Sequence, residues 1–314
     1  LTPGQTTVSN EIFADLRAEH PMHRLLQGEV GSGKTIVALR AALSVIDADG
    51  QVALLAPTEV LAQQHHRTIT KQLGDLANKG TLGAHNEAIS VELLTGSMSA
   101  GEKKKIQARV KSGEVDLLIG THALLSDAVG FKDLALIIID EQHRFGVKQR
   151  AIVQQKGESP HVLTMTATPI PRTLALTLHG DLDVSQIDEL PPGRQGIQTT
   201  VLAGKERHHA YDLIRREIAS GRQCYVVLPL IEESEKLDVK SAIEEQLKLQ
   251  NQIFPEFTVG LLHGRMTSHE KDEAITKFRN QETDILVSTT VVEVGVDVPN
   301  ATVMLIENAE RFGL

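Results

Sequence analysis

A glycine-rich segment near the N-terminus has the residue types and the spacing of a phosphate-binding loop. Residues 28–35 read Gly-Glu-Val-Gly-Ser-Gly-Lys-Thr, between an apolar stretch that predicts a strand and a helical pattern from Ile36 to Ile46. The glycines let successive backbone N–H groups face one concavity, while Lys34 reaches the terminal phosphates and Thr35 offers its hydroxyl to Mg²⁺. A glycine-rich turn that binds nothing is the alternative. The residues predicted to bind nucleotide here are Gly28, Gly31, Ser32, Gly33, Lys34 and Thr35.

Two carboxylates follow a second apolar run farther along the chain. Asp140 and Glu141 come directly after Leu134–Ile139, which is the Walker B arrangement when the same sheet carries a phosphate loop. Asp140 would hold Mg²⁺ through water, and Glu141 would polarise the attacking water as general base. Alone, the pair is equally typical of an acidic turn, and the phosphate loop favours the catalytic interpretation. The predicted catalytic residues are Lys34, Asp140 and Glu141, and the predicted metal ligands are Thr35 and Asp140.

Four weaker signals leave alternatives open. Leu1–Gln5 is either a frayed terminus or a segment that holds an adenine, because the Gln5 amide offers a donor and an acceptor to the base edge. Thr166–Pro169 is a plain turn or a nucleotide sensor at a strand end. His143 is a surface residue or a relay between nucleotide and nucleic acid. Residues 289–299 form a strand and hairpin, or a loop that faces a nucleotide cleft and a phosphate backbone.

The cysteine and histidine positions argue against disulfide and zinc chemistry. Cys224 is the single cysteine, so no intrachain disulfide can form, and its strand-like surroundings favour a packing role. His65–His66 and His208–His209 are adjacent pairs within helical patterns, so each pair points two ways, and no Cys/His spacing fits zinc. A lone cysteine favours a reducing compartment, and we expect a cytoplasmic protein.

Composition limits the classes of protein further. A length of 314 residues with 41% apolar residues is sufficient for two cores. No apolar run approaches the roughly 20 residues that span a bilayer, and the opening Leu-Thr-Pro-Gly-Gln does not predict a signal peptide. A net charge of −9 excludes an overall basic surface but not a local basic face. With 3% aromatic residues, any contact with nucleic acid should be made mainly to the phosphate backbone.

Alternating strand and helix patterns position these residues. Runs that are apolar throughout, such as Ala135–Ile139, are typical of strands covered on both faces of a parallel sheet. We therefore predict an α/β fold with a first domain over residues 1–188, a Pro- and Gly-containing linker over 189–195, and a second domain over 196–314 that lacks a closing helix. Predicted strands are Met22–Leu26, Val52–Ala56, Ser90–Leu94, Asp116–Ile119, Ala135–Ile139, His161–Thr164, Gln223–Leu228, Thr258–Leu262, Asp284–Ser288 and Thr302–Ile306.

These blocks, in this order, resemble the superfamily 2 helicase core of two RecA-like P-loop NTPase domains. The resemblance is closer to the RecG family of branch-migration helicases and covers nearly the whole chain. The transcription-repair coupling factor shares the design, but residues 188–194 and 230–237 fit it poorly. The segments that carry the resemblance are residues 140–146, 166–173, 187–194, 230–237, 263–266 and 289–300.

The resemblance implies an ATP-dependent translocase on double-stranded DNA that remodels branched DNA, such as stalled forks and Holliday junctions, in recombination and repair. It implies ATP and Mg²⁺ as cofactors, branched double-stranded DNA as partner, no membrane partner and a monomer. The alternative is a nucleotide-gated DNA-binding module with little catalysis. The family also has an N-terminal wedge domain and a final arginine motif that this sequence lacks, and Arg311 does not match that motif. We therefore expect slow ATP hydrolysis from these residues alone.

The resemblance also assigns roles to individual residues. It favours Gln5 as the residue that recognises adenine, and it implies that Gly295 and Asp297 close over ATP. The residues that it implies in DNA binding or in coupling are Pro57, Thr58, Thr121, His122, His143, Thr166, Thr168, Arg265, Thr289 and Thr290.

Overall fold

The computed structural model describes residues 1–77, 88–121, 124, 128–140, 159–167, 182–189, 196–229, 235–289 and 298–311. The chain divides into two compact units, Leu1–Gly196 and Ile197–Leu314. The domain limits predicted from the sequence stay a prediction, and residues 190–195 of the predicted linker lie outside the described residues.

The first unit contains a parallel sheet. Its described strands lie in the order β3-β4-β2-β5-β6-β1-β7, and every neighbouring pair is parallel. In chain order the elements are α1 (Pro3–Leu16), β1 (His23–Gly28), α2 (Lys34–Ile46), β2 (Gln51–Leu55), α3 (Glu59–Leu73), β3 (Val91–Leu94), α4 (Ala100–Ser112), β4 (Leu117–Gly120), β5 (Leu134–Asp140), β6 (His161–Thr166) and β7 (Asp183–Ile187), with a 3₁₀ turn at Gly74–Ala77.

The two faces of this sheet carry separate cores, which explains why β5 is apolar from Leu134 to Ile139. Leu136 and Ile138 of β5 pack with residues of α1, α2 and α3. Ile137 and Ile139 of the same strand pack on the opposite face with Ile106 and other residues of α4. Successive side chains of a strand point to opposite faces, so a strand covered on both faces shows no polar alternation. The α/β fold with parallel sheets is confirmed.

The second unit is built in the same way. Its described strands lie in the order β11-β8-β10-β9, again with parallel neighbours. In chain order the elements are α5 (Arg207–Ala219), β8 (Gln223–Leu228), α6 (Glu235–Lys248), β9 (Val259–Leu262), α7 (Ser268–Arg279), β10 (Ile285–Thr289) and β11 (Ala301–Ile306), with a π-helical turn at Leu249–Ile253 after α6.

The two units share one topology. The order β9-β10-β8-β11 of the second unit repeats β3-β4-β2-β5 of the first, strand for strand in chain order. The equivalent helices α4 and α7 both begin with a capping box, Ser99 with Glu102 and Thr267 with Glu270. The architecture that the two units share therefore extends to the way in which individual helices start.

A buried glutamine occupies the same place in each unit. Nε2 of Gln51, at the start of β2, donates to the carbonyls of Val110 and Val115 at 3.0 and 2.7 Å. Nε2 of Gln223, at the start of β8, donates to the carbonyls of Phe278 and Thr283 at 2.6 and 2.7 Å. In each unit the amide thus joins its own strand, β2 or β8, to the end of the helix and the turn that lead into the neighbouring strand, β4 or β10. The amide oxygens are also satisfied, that of Gln51 by the N–H groups of Lys132 and Asp133, and that of Gln223 by Nδ2 of Asn300.

Replacing either glutamine by leucine should strongly destabilise its own unit. Gln51→Leu and Gln223→Leu each leave two carbonyls without a donor, and we expect the free energy of unfolding to fall by about 2–4 kcal/mol. Urea denaturation of each variant measures the loss. Gln72→Leu, at an exposed position of α3, is the matched control and should stay within about 0.5 kcal/mol of the parent. Equal stabilities of Gln51→Leu and Gln72→Leu would contradict the assigned role.

Cys224 lies inside the core of the second unit. Its side chain is fully buried among Ile214, Val226 and Ile285, and Sγ contacts the carbonyl of Tyr225 at 3.3 Å. Burial raises the pKa of the Cys224 thiol to about 12. The predicted packing role is consistent with both observations.

We expect Cys224 to resist thiol reagents in the native protein. Because its pKa is raised, the thiolate that reacts is scarce at pH 8, and the fold also blocks access. An aromatic disulfide reagent should therefore modify the native chain far more slowly than the chain in urea. Comparable rates in the two conditions would show that the thiol is accessible.

Candidate functional site

The register of the first sheet brings the phosphate loop and Asp140 to one edge. Strand β6 separates β5 from β1, with Asp140 level with Met165 and Met165 level with Leu26. Adjacent strands lie about 4.8 Å apart, so the backbones at Asp140 and Leu26 are separated by roughly 10 Å. Since all three strands are parallel, Asp140 and the loop that follows Gly28 both leave the sheet at its carboxyl edge.

Asp140 also lies on the same face of the sheet as the helix that follows the loop. Leu136 and Ile138 point into the core that holds α2 and α3, and Asp140 continues that alternation. Its Oδ2 lies 2.7 Å from Nε2 of His65 on α3. The carboxylate predicted to hold a metal therefore faces the side on which α2 begins.

The phosphate loop has the backbone conformation that its glycines permit. Gly31 and Gly33 have φ values of 84° and 87°, in the left-handed region. Nζ of Lys34 lies across the loop and donates to the carbonyls of Gly28 and Glu29 at 2.7 and 2.9 Å. Helix α2 begins at Lys34 with no side-chain cap, so the positive end of its dipole faces the loop.

Two features of this loop fit a bound phosphate group. Ser32 is buried, and its Oγ has no hydrogen-bond partner among the described residues. A Cβ added to Gly28 would lie 2.5 Å from that hydroxyl, so only glycine leaves the space open. A buried hydroxyl without a partner is costly unless a ligand or water satisfies it.

Gln5 lies against the phosphate loop rather than in a frayed terminus, so the frayed-terminus alternative is wrong. Thr2 is the N-cap of α1, and its backbone N–H donates to Oε1 of Gln5 at 3.0 Å in a capping box. Nε2 of Gln5 donates to the carbonyl of Ser32 at 2.9 Å. The amide retains one further N–H and one further lone pair, because each atom can form two hydrogen bonds.

Helix α1, which carries Gln5, is held on the sheet by a nearly buried arginine. Nε of Arg24 on β1 donates to Asp15 of α1 at 2.6 Å, and Nη1 donates to Ser185 of β7 at 2.8 Å. Glu11 lies 3.5 Å from the same guanidinium and also accepts from Ser185. These contacts join α1, β1 and β7, the last of which was not predicted from the sequence.

Other predicted site residues of the first unit lie at carboxyl ends of its strands. Pro57 and Thr58 connect β2 to α3, and the hydroxyl of Thr58 accepts from the N–H of Leu61 as the N-cap. Thr121 directly follows β4 and is buried, Thr166 ends β6 and is buried, and Thr35 lies in the first turn of α2. A cavity of about 430 Å³ at this edge is lined by residues 27–30, Ala167 and residues 186–188.

In the second unit, two predicted residues lie at carboxyl ends of strands. Thr289 ends β10, and its buried hydroxyl has no hydrogen-bond partner among the described residues. Arg265 follows β9 and is exposed. Close to it, burial lowers the pKa of His263, whose backbone N–H contacts Sδ of Met266 at 3.3 Å.

Some predicted site residues lie outside the described part of the chain, and the contact between His65 and Asp140 was not predicted. The pairing of His65 with Asp140 depends on how α3 packs over β5, which spacing along the chain does not encode. Within the described ranges, no cluster of three or more His, Cys, Asp or Glu side chains could hold a metal. The predicted residues outside the described part of the chain are His122, Glu141, His143, Thr168, Thr290, Gly295 and Asp297.

Comparison with protein families identifies the class. The model of the DEAD/DEAH box helicases matches residues 2–177, and that of the helicase conserved C-terminal domain matches residues 206–311. The chain therefore belongs to the DEAD/DEAH box helicase family.

The relatives narrow that class and confirm the predicted resemblance to RecG. The chain is 58% identical to the ATP-dependent DNA helicase RecG of Synechocystis sp. and 49% identical to that of Thermotoga maritima, over all of its length and over 36% and 39% of theirs. It thus spans about two fifths of the length of these curated relatives. A solved structure of RecG bound to a three-way DNA junction is 43% identical, with a TM-score of 0.79 over all of this chain and 39% of that one.

More distant solved structures share only the fold. The helicase MrfA bound to DNA is 19% identical with a TM-score of 0.68, covering 98% of this chain and 44% of that one. Mss116p bound to single-stranded RNA is 17% identical with a TM-score of 0.67, covering 98% and 63%. Among the described helices, none is long and apolar enough to cross a membrane.

Gly33→Ala should destabilise the loop and displace Gln5. A methyl group at this position meets Nε2 of Gln5 at 2.3 Å and forces a φ of +87° on an L-residue. We expect a loss of about 1–3 kcal/mol in unfolding free energy, measured by urea denaturation. Gly101→Ala, where the added Cβ meets no atom within 4 Å, is the control; because Gly101 lies in the first turn of α4, alanine should be neutral or stabilise the protein by up to about 1 kcal/mol.

The source of the loss can be separated by adding Gln5→Ala. If the contact with Gln5 contributes, the double variant should be more stable than the sum of the single effects predicts. Strict additivity would assign the whole effect to backbone conformation.

Proposed function

We propose that the chain is the motor part of an ATP-dependent DNA helicase that translocates on double-stranded DNA and remodels branched DNA. The observation that carries this proposal is the convergence of the phosphate loop and Asp140 on one edge and one face of the first sheet. Its support from relatives is the RecG similarity over the whole chain, including a RecG structure on a three-way junction.

In this proposal ATP binds at the phosphate loop. The loop N–H groups and the start of α2 would accept the phosphates, and Lys34 would exchange its contacts with the Gly28 and Glu29 carbonyls for phosphate oxygens. Gln5 would use its remaining donor and acceptor to read the adenine edge. Gly295 and Asp297 would complete the nucleotide site, as the resemblance implies.

Mg²⁺ fits the oxygen donors at the same edge. Thr35 would offer its hydroxyl and Asp140 would hold the metal through water, and hydroxyl and water oxygens are the hard ligands that Mg²⁺ takes alongside phosphate oxygens. When bound, the metal would neutralise charge that develops on the transferred phosphoryl group. Glu141 would orient and deprotonate the attacking water. Lys34 would stabilise the same developing charge.

DNA would be held mainly through its backbone. The small polar residues at the strand ends, together with exposed Arg265, suit phosphate contacts, and such contacts do not require base-stacking aromatics. The proposed contact or coupling residues are Pro57, Thr58, Thr121, His122, His143, Thr166, Thr168, Arg265, Thr289 and Thr290.

Nucleotide binding and ATP hydrolysis, with and without forked DNA, test the proposal. Lys34→Ala should weaken binding and remove hydrolysis, whereas Glu141→Gln should keep binding and lower turnover by about 10²–10⁴. Forked DNA should stimulate the parent more than linear duplex of equal length.

Lys105→Ala is the control, because Lys105 is an exposed residue of α4 away from the strand ends. It should behave as the parent in every arm. Hydrolysis that survives Lys34→Ala, or nucleotide binding that is absent from the parent, would reject the proposed site.

A further inference from the structure

The carboxylate of Asp140 is shared with a residue of α3 that neither sequence motif includes. His65 Nε2 lies 2.7 Å from Asp140 Oδ2, and the two side chains are only 12% and 14% exposed. The other carboxylate oxygen, Oδ1, has no hydrogen-bond partner among the described residues. An Oδ2 atom that accepts one hydrogen bond keeps a single lone pair, whereas Oδ1 keeps both, so Oδ1 is the oxygen more open to a ligand.

The position of His65 on α3 fixes the ring where it meets the carboxylate. Leu61, Ala62 and Ile69 of α3 are buried in the core beneath the helix, so its rotation about its own axis is set by packing. Residues 61, 65 and 69 are spaced four apart and share one face of a helix. The ring is therefore held toward β5 by the same face that anchors the helix.

We propose that His65 is a positioning residue for the metal site: it holds Oδ2 of Asp140 and thereby aims Oδ1 at the Mg²⁺ that accompanies the nucleotide. This inference rests on the proposed function, because it takes Asp140 as the metal's carboxylate. Residues that hydrogen-bond a metal ligand orient it, and their loss typically weakens metal affinity 10–100-fold. His65 itself touches neither metal nor phosphate in this arrangement.

The adjacent histidine provides a matched control. His66 follows His65 on α3, is similarly half-buried, and makes no hydrogen bond or ion pair within the described part of the chain. One residue along a helix rotates the side chain by about 100°, so His66 cannot face the same carboxylate. His66→Ala therefore removes an imidazole group from the same helix while the contact with Asp140 stays in place.

The test measures binding of a fluorescent ADP analogue during a Mg²⁺ titration and in EDTA. For His65→Ala we expect the Mg²⁺ concentration that gives half of the metal-dependent gain in affinity to rise by about 10–100-fold. Affinity in EDTA and the thermal midpoint without nucleotide should match those of the parent. His66→Ala should match the parent in all three measurements.

A pair of amide substitutions keeps the test independent of folding. His65→Gln places an amide nitrogen at about the reach of Nε2 and should restore most of the Mg²⁺ dependence. His65→Asn is one methylene shorter and should resemble His65→Ala. Equal behaviour of Gln and Asn, or an unchanged Mg²⁺ midpoint in His65→Ala, would overturn the inference.

Two further outcomes separate this inference from the proposed function. If affinity in EDTA falls together with the Mg²⁺-dependent affinity, His65 has a general structural role and the positioning role is rejected. If the parent itself binds no nucleotide, the proposed function fails, and the inference fails with it. If the parent binds the nucleotide in a Mg²⁺-dependent way and His65→Ala shows the same dependence, the positioning role of His65 is rejected and the proposed function stands.

Discussion

The parallel register of β5, β6 and β1 is the constraint on which the candidate site depends. Because these strands run in one direction, the phosphate loop after β1 and Asp140 at the end of β5 emerge at one edge. A shift of β5 by one residue would turn Asp140 to the opposite face, into the core beside α4. The apolar residues of β5 on both faces therefore fix the site as firmly as they fix the fold.

Polar contacts that the two units share secure the pairing of β2 with β4 in the first sheet and of β8 with β10 in the second. The amides of Gln51 and Gln223 satisfy carbonyls at the end of the helix and in the turn that lead into the neighbouring strand. A buried amide whose donors and acceptors are all hydrogen-bonded favours one strand pairing, because another pairing would leave these buried groups without partners. The same solution in each unit shows that the common topology extends to its interior hydrogen bonds.

The sequence predicted the elements well where one local signal determined them. Strand Gln223–Leu228 was predicted with the observed bounds, and the helical pattern that ends at Ile46 with the observed C-terminus, because runs and periods of apolar residues are local features. Helix α1 was missed because Val8 and Ile12 are its few buried apolar residues, and its other positions are mostly polar. Strand β7 was missed because it is an edge strand of mixed polarity that is held partly through Ser185 and Arg24. The contact of His65 with Asp140 joins positions far apart in the chain, so no motif contains both.

Helix α3 is a rigid element that links two predicted sites, the segment at Thr58 and the carboxylate of Asp140. Its N-cap is Thr58, at a segment that the resemblance assigns to DNA, and His65 lies seven residues later, about 10 Å along the axis. A helix anchored by Leu61 and Ile69 moves as a unit, so a displacement of its N-terminus also displaces the His65 ring that contacts Asp140. A coupling of this kind requires that α3 have two arrangements over β5, each favoured by a different ligand. The 2.7 Å contact between His65 and Asp140 belongs to one arrangement of α3, and in the other arrangement this hydrogen bond must be longer or broken.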